Sequence, residues 1–197
     1  MITEPEAERR YQALLKELEQ DLPGFRLRRK ADSRSQRLIH QVLRLVSLGQ
    51  MCTYLTDFHT TLGRTVYVTD DFQAQPATSR WATLRHEAVH LRQFAALGFV
   101  GMALVYVLLP FPVVLAYGRM RLERAAYEET LRAWYEIGGP AALRDPSLRR
   151  HICSCFLGPS YLWMWPFPRA IAAWYDDFVA HLLSERHERL RQRPYCP

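Results

Sequence analysis

Residues 84–129, LRHEAVHLRQFAALGFVGMALVYVLLPFPVVLAYGRMRLERAAYEE, hold two features that compete for the same chain. His86, Glu87 and His90 form an HExxH motif, and residues 94–118 carry no charge. On a helix, residues four apart share a face, so both imidazoles reach one ion while Glu87 stands beside them. The charge-free run is long enough to cross about 30 Å of hydrocarbon. A single span would put His90 and a carboxylate beyond the run, such as Glu123, on opposite sides of a bilayer, whereas ligand bonds of roughly 2 Å bring them to one ion. The metal site and a simple span therefore exclude each other. Pro110 and Pro112 interrupt any continuous helix there. The run is flanked by Arg85 and Arg92 before and by Arg119, Arg121 and Arg124 after, so charge supplies no orientation. A hairpin-like excursion is expected, packed in the protein core in preference to dipping shallowly into a membrane.

Two histidines leave a zinc ion under-coordinated, since a catalytic site has three protein ligands and an open position. The extended HExxHxxGxxH pattern is absent. A carboxylate on a second helix is the other solution, and Glu123 opens Glu123-Arg124-Ala125-Ala126-Tyr127, with Glu128 as runner-up. An HExxH helix followed by such a helix resembles the gluzincin superfamily of zinc peptidases, whose second motif reads ExxAD. The resemblance implies His86, His90 and Glu123 as Zn2+ ligands and Glu87 as general base. It further implies a zincin-like α+β fold, with a small β-sheet over the HExxH helix and a mainly helical C-terminal part. Tyr127 stands where the family pattern has Asp; one turn from Glu123, it can face the metal and stabilise a developing oxyanion. Zincin folds offer an edge strand to an extended peptide, and TVYVTDDF is the segment expected to supply it.

The remaining pattern frames this site. A chain of 197 residues suits one domain: N-terminal helices over 1–50, strands over 51–75, metal-site helices with the apolar hairpin over 79–137, and a helical part over 141–197. Ala7, Tyr11, Leu14, Leu15 and Leu18 give residues 4–20 one apolar helical face, stopped at Pro23-Gly24. GFRLRRK reads as a short strand. Ser33 or Ser35 caps a second helix with Leu38, Ile39, Val42, Leu43 and Val46 on its apolar face. MCTYLTDF and RTVYVTDDF are β-prone runs joined across HTTLG, and Thr78 or Ser79 is placed to cap the motif helix from about Arg80 to Leu97.

Cys52, Cys153, Cys155 and Cys196 are scattered, with no two-residue zinc spacing, and read as reduced thiols of a cytoplasmic protein. The acidic, helical N-terminal pattern lacks the basic start and apolar core of a signal peptide. Net charge is +6, concentrated in FRLRRKADSRSQR and ERHERLRQR. Such runs contact phosphates or an anionic membrane surface; no nucleic-acid recognition module is visible, which argues against that partner. Gln93 is placed to support His90. Asp70 and Asp71 read as turn residues, and His59, His151, His181 and His187 as structural or exposed. Trp163, Trp165, Phe167 and Trp174 read as core.

The expectation is a zinc-dependent metallopeptidase that cleaves peptide or protein substrates through zinc-activated water with Glu87 as base. Two alternatives are a catalytically degenerate zincin acting as a binding module, and a membrane-associated interaction protein whose HExxH is fortuitous.

Overall fold

The computed structural model describes residues 1–46, 49, 53–105, 116–158 and 164–191. Cys52, Trp163, Cys196, Pro110 and Pro112, and the side chains of Val46 and His187, lie outside the described residues. Among those described, the chain is α+β and mostly helical. Thr3 caps α1 (Glu4–Asp21) by accepting from the Glu6 amide, and Ala7, Tyr11 and Leu18 are buried on its inner face. Gly24, at φ +89°, turns the chain after Pro23.

Strand β1 (Arg26–Arg29) runs parallel to β3 (Thr65–Val68), and β2 (Thr60–Leu62) pairs antiparallel with β3. Strand order is β1-β3-β2. A two-residue loop joins β2 to β3, with Gly63 supplying the positive φ that tight hairpin turns need. Two expectations are corrected here. MCTYLTDF is not a strand; its described part forms the helical turn α3 (Tyr54–Asp57). The hairpin uses residues of the expected connection instead. Tertiary bonds override the β propensity: the buried Lys30 ammonium donates to the Tyr54 carbonyl at 2.8 Å, and the Tyr54 hydroxyl donates to Gln36 at 2.6 Å. Those bonds engage both the backbone carbonyl and the ring hydroxyl of Tyr54 at once. The second correction concerns TVYVTDDF, whose strand is central and so cannot offer a free edge; β2 can.

Helix α4 (Ala77–Ala103) carries the motif. Its N-cap is Pro76 rather than Thr78 or Ser79. Glu4, reaching across from α1, accepts from the Ala77 amide and the Thr78 hydroxyl, both at 2.6 Å. A carboxylate at a helix N-terminus satisfies open amides and meets the positive end of the helix dipole, so the distant acid displaces the local hydroxyl. Gly98, at φ +67°, kinks α4 one residue after the expected end at Leu97.

Around the kink the core expectation fails for the described part of the run; residues 106–115 lie outside the described residues. Met102 is buried, but Leu97, Phe99, Val100 and Leu104 are exposed. The fold-back itself is present: a β-carbon at Gly118 would collide with the Val105 carbonyl, so Val105 and Gly118 lie in contact. No helix among the described residues is long and apolar enough to cross a membrane.

Helix α5 (Tyr117–Gly138) returns alongside α4 and ends at Gly139, φ +66°. Helices α6 (Pro140–Leu143), α7 (Pro146–Leu157) and α8 (Pro168–Arg191) each start on a proline, whose missing N–H costs nothing in a first turn. Two apolar clusters result. One joins Tyr11, Leu18, Val66, Phe72, Trp81, Leu84 and Leu91 across α1, the sheet and α4. The other joins Tyr127, Leu131, Ile152, Phe156, Ile171, Trp174 and Tyr175 across α5, α7 and α8. Burying each large side chain of this kind contributes about 1.5–3 kcal/mol, so the two clusters hold α4 and α5 from opposite sides. Trp165 and Trp174 pack with the second cluster as expected, whereas Phe167 is exposed.

Candidate metal centre

The motif helix and the following helix bring three side chains to one point. The donor atoms of His86, His90 and Glu123 lie within 4.8 Å of one another. Glu123 Oε2 is 3.8 Å from His86 Nε2 and 3.6 Å from His90 Nε2. Ligands about 2 Å from a tetrahedral ion sit roughly 3.3 Å apart, so the two carboxylate–imidazole pairs would close by a few tenths of an ångström, while the widest pair of donors would approach by about 1.5 Å, within reach of side-chain rotation. Glu123 and His90 are buried, and His86 nearly so.

Hydrogen bonds settle which ring nitrogens are available. Thr130 has one hydroxyl proton and donates it to the Ala126 carbonyl at 3.2 Å. Its oxygen, 3.0 Å from His86 Nδ1, therefore accepts a proton from that ring. Gln93 Nε2 donates to the Leu122 carbonyl at 3.1 Å, which orients Gln93 Oε1 to accept from His90 Nδ1 at 2.9 Å. Both rings carry their proton on Nδ1 in this arrangement. Nε2 of each ring is thereby turned toward a cation, free on His86 and available on His90 once its second proton is released, the usual way that outer partners orient metal-binding imidazoles. Gln93 was legible from its place one turn after His90; Thr130 was not, because it lies on α5 and meets His86 only through tertiary packing. Thr130→Val and Gln93→Leu should each weaken zinc binding by about 10–100-fold while the protein stays folded, measured by competition with a chromophoric chelator.

The protonation pattern fits the same picture. Burial, reinforced by the neighbouring His90, pushes His86 down to about 3, so this ring is neutral at physiological pH. Burial also opposes charge on His90, but the charge and hydrogen bond of Glu123 outweigh it and carry His90 up to about 9. Without a metal, a proton bridges His90 and Glu123. A cation must displace it. The apparent zinc affinity should then fall about tenfold per pH unit from pH 8 to pH 6, one proton per ion. A slope of two would mean that His86 is protonated as well.

Glu87 holds no ligand position. It is buried beside the three donors and accepts from the Thr61 hydroxyl of β2 at 2.7 Å. Burial raises its pKa, with His90 and the Thr61 hydrogen bond acting in the opposite direction. Its face opens on a cleft of about 600 Å³ that is also lined by His86, Tyr127, Thr130, Trp134, His59 and His151. Tyr127 sits on the cleft wall, its ring edge-on to His86 at 4.8 Å and packed on Phe156, with its side chain hydrogen-bonded to Cys155. Glu128 points elsewhere, accepting from the Trp174 indole at 3.0 Å.

His59 and His151 line the cleft, which the sequence pattern did not indicate. His59 packs on Phe72 and its Nδ1 accepts from the Thr69 amide at 3.4 Å, leaving the ring proton on Nε2. Burial and the nearby Lys30 cation push its pKa down to about 4. Only its position between strands near α4 could have signalled this. His181 is exposed, Asp71 precedes a short 3-10 turn (Phe72–Ala74) and accepts from the Gln75 side chain, and Asp70 is exposed, as turn residues are. Cys153 and Cys155 are free thiols, and burial pushes Cys155 up to about 11, which keeps it protonated and unsuited to bind metal. Compared with known proteins, the chain matches no family model, no curated protein and no solved structure.

Proposed function

We propose that this protein is a zinc-dependent metallopeptidase of zincin-like, gluzincin-type architecture. The observation that carries this reading is Glu87, a buried carboxylate that borders the cleft, holds no ligand position and is fixed by Thr61 beside His86, His90 and Glu123. A bound zinc supplies Lewis acidity and lowers the pKa of a water molecule. The protein's own residues do the rest. His86, His90 and Glu123 hold the ion; Thr61 pins Glu87 Oε2, and the carboxylate takes the proton as the nucleophile attacks a carbonyl. Tyr127, on the cleft wall, is the donor assigned to the developing oxyanion.

The substrate is an extended peptide. The open edge of β2 offers backbone hydrogen bonds to such a chain, and Thr61 ties that strand to the base. Trp134, Leu148 and Ile152 give the cleft an apolar wall for a side chain.

Glu87→Gln should retain one zinc per chain and the wild-type far-ultraviolet spectrum, and should lose hydrolysis by about 10²–10⁴-fold on a quenched-fluorescence peptide library. Equal turnover by the two proteins would assign the activity to a contaminant. Stoichiometric zinc with no turnover in either would favour a binding module, the reading that the Tyr127 departure from the family pattern supports.

A further inference from the structure

Helix α2 (Arg34–Val46) leaves a large part of its apolar surface outside the protein. Its one fully buried side chain among the described residues is Gln36, which accepts from the Tyr54 hydroxyl, and His40 stacks on the same Tyr54 ring. Ser33 caps the helix through the Gln36 amide, so the polar side is fixed against the body of the protein. Of the apolar residues expected on its inner face, Ile39 and Leu43 are half-buried, whereas Leu38 and Val42 face solvent. Leu38, Val42 and Leu45 are 61%, 51% and 78% exposed, at a spacing that places them on one face. A helix that keeps such an apolar stripe in solvent is complete only against a second apolar phase.

Charge identifies that phase. Arg34, Arg37 and Arg44 are exposed on the same helix, and Arg26, Arg28 and Arg29 of the preceding strand β1 are exposed as well, Arg29 paired with Asp32. From Gly24 to Thr56 the sequence contains one carboxylate, Asp32. An apolar stripe bordered by arginines, with almost no acid, has the chemistry of helices that lie in the headgroup plane of anionic bilayers. We infer that α2 docks this protein on an anionic lipid surface, with Leu38, Val42 and Leu45 inserted among the acyl chains and the arginines on lipid phosphates. A second copy is a poorer occupant, because two faces of the same strong positive charge repel. Nucleic acid would engage the arginines and leave the leucine stripe in water. A second exposed apolar run, Leu97, Phe99, Val100 and Leu104, flanks the Gly98 kink and adds insertable surface. None of this depends on the metal or on peptide hydrolysis.

The test is co-sedimentation of the full chain with vesicles of phosphatidylcholine alone and of phosphatidylcholine mixed with phosphatidylglycerol. Wild type should bind the anionic vesicles, weaken as salt rises, and bind the neutral ones at least tenfold less. Leu38→Ser with Leu45→Ser, and separately Arg34→Ser with Arg37→Ser, should each lower partitioning about tenfold or more, with circular dichroism and zinc content unchanged. Because all four side chains are exposed, these variants are expected to fold; the salt series on wild type stands as an independent check. No sedimentation with anionic vesicles would overturn the inference. So would equal binding by wild type and the leucine variant, or a wild-type dimer that the leucine variant abolishes in the absence of lipid.

Discussion

Glu123→Ala should abolish tight zinc binding, lowering affinity by more than about a hundredfold, whereas Glu128→Ala should leave it within a few-fold of wild type. Glu123 is the carboxylate whose oxygen lies 3.6 and 3.8 Å from the two Nε2 atoms, and it is buried with them. Removing it leaves two ligands, too few to retain an ion against a chelator, and frees His90 from the charge that holds its proton. Glu128 is engaged by the Trp174 indole on another face of α5, so its loss affects packing between α5 and α8. Elemental analysis of protein purified without added metal, followed by chelator competition, separates the two. Zinc loss in Glu128→Ala with retention in Glu123→Ala would reverse the ligand assignment.

Lys30→Met should stabilise the fold at neutral pH and impair function. Lys30 is fully buried at the end of β1, its ammonium 3.5 Å from the Tyr54 ring centre and bonded to the Tyr54 carbonyl. Burial drives its pKa from 10.5 to about 7, with Glu87 pulling in the opposite direction. A fall of that size corresponds to roughly 4–5 kcal/mol, since each tenfold change is about 1.4 kcal/mol. The bond to the carbonyl and the contact with the ring offset some of this, about 1–2 kcal/mol, so the expected net gain is about 2–3 kcal/mol. The sign with pH follows from proton counting. Between about pH 7 and 10.5 the unfolded chain holds a proton on Lys30 that the folded chain has lost, so this residue makes stability rise with pH in that window. The advantage of Lys30→Met in urea titrations should therefore be largest near pH 7 and shrink toward pH 10. A cation buried at this cost beside Glu87 fits a stability-for-function exchange, and hydrolysis should fall in the stabilised variant. A destabilised Lys30→Met at pH 7 would mean that the ring and carbonyl contacts outweigh desolvation.

Much of the helical frame was legible because its signals are local. The apolar spacing of α1, the stop at Pro23-Gly24 and the Ser33 cap act within a turn or two of the residues that carry them. The HExxH helix and the opposing Glu123 helix belong to the same class, because side-chain direction follows from helical period once each helix is granted. Their meeting required the chain to fold back between them, and the two prolines of the apolar run, together with the impossibility of a ligand across a bilayer, carried that far.

Sequence alone determined which residues could ligate a cation: His86 and His90 by their spacing, Glu123 by its place on the next helix. Tertiary structure decided what those residues can do. Thr130 and Gln93 set the ring protons through bonds to α5, and Thr61 fixes Glu87 from a strand that sequence reading had assigned to a loop. Glu4 caps α4 from 73 residues away, where local hydroxyls had seemed sufficient. Most consequential is α2, whose amphipathic pattern marked an apolar face but not its direction. A hydrophobic period says that one side of a helix must leave water; it does not say whether the protein or another phase receives it. Gln36 and Tyr54 decided that by bonding in the interior, which turned Leu38, Val42 and Leu45 outward.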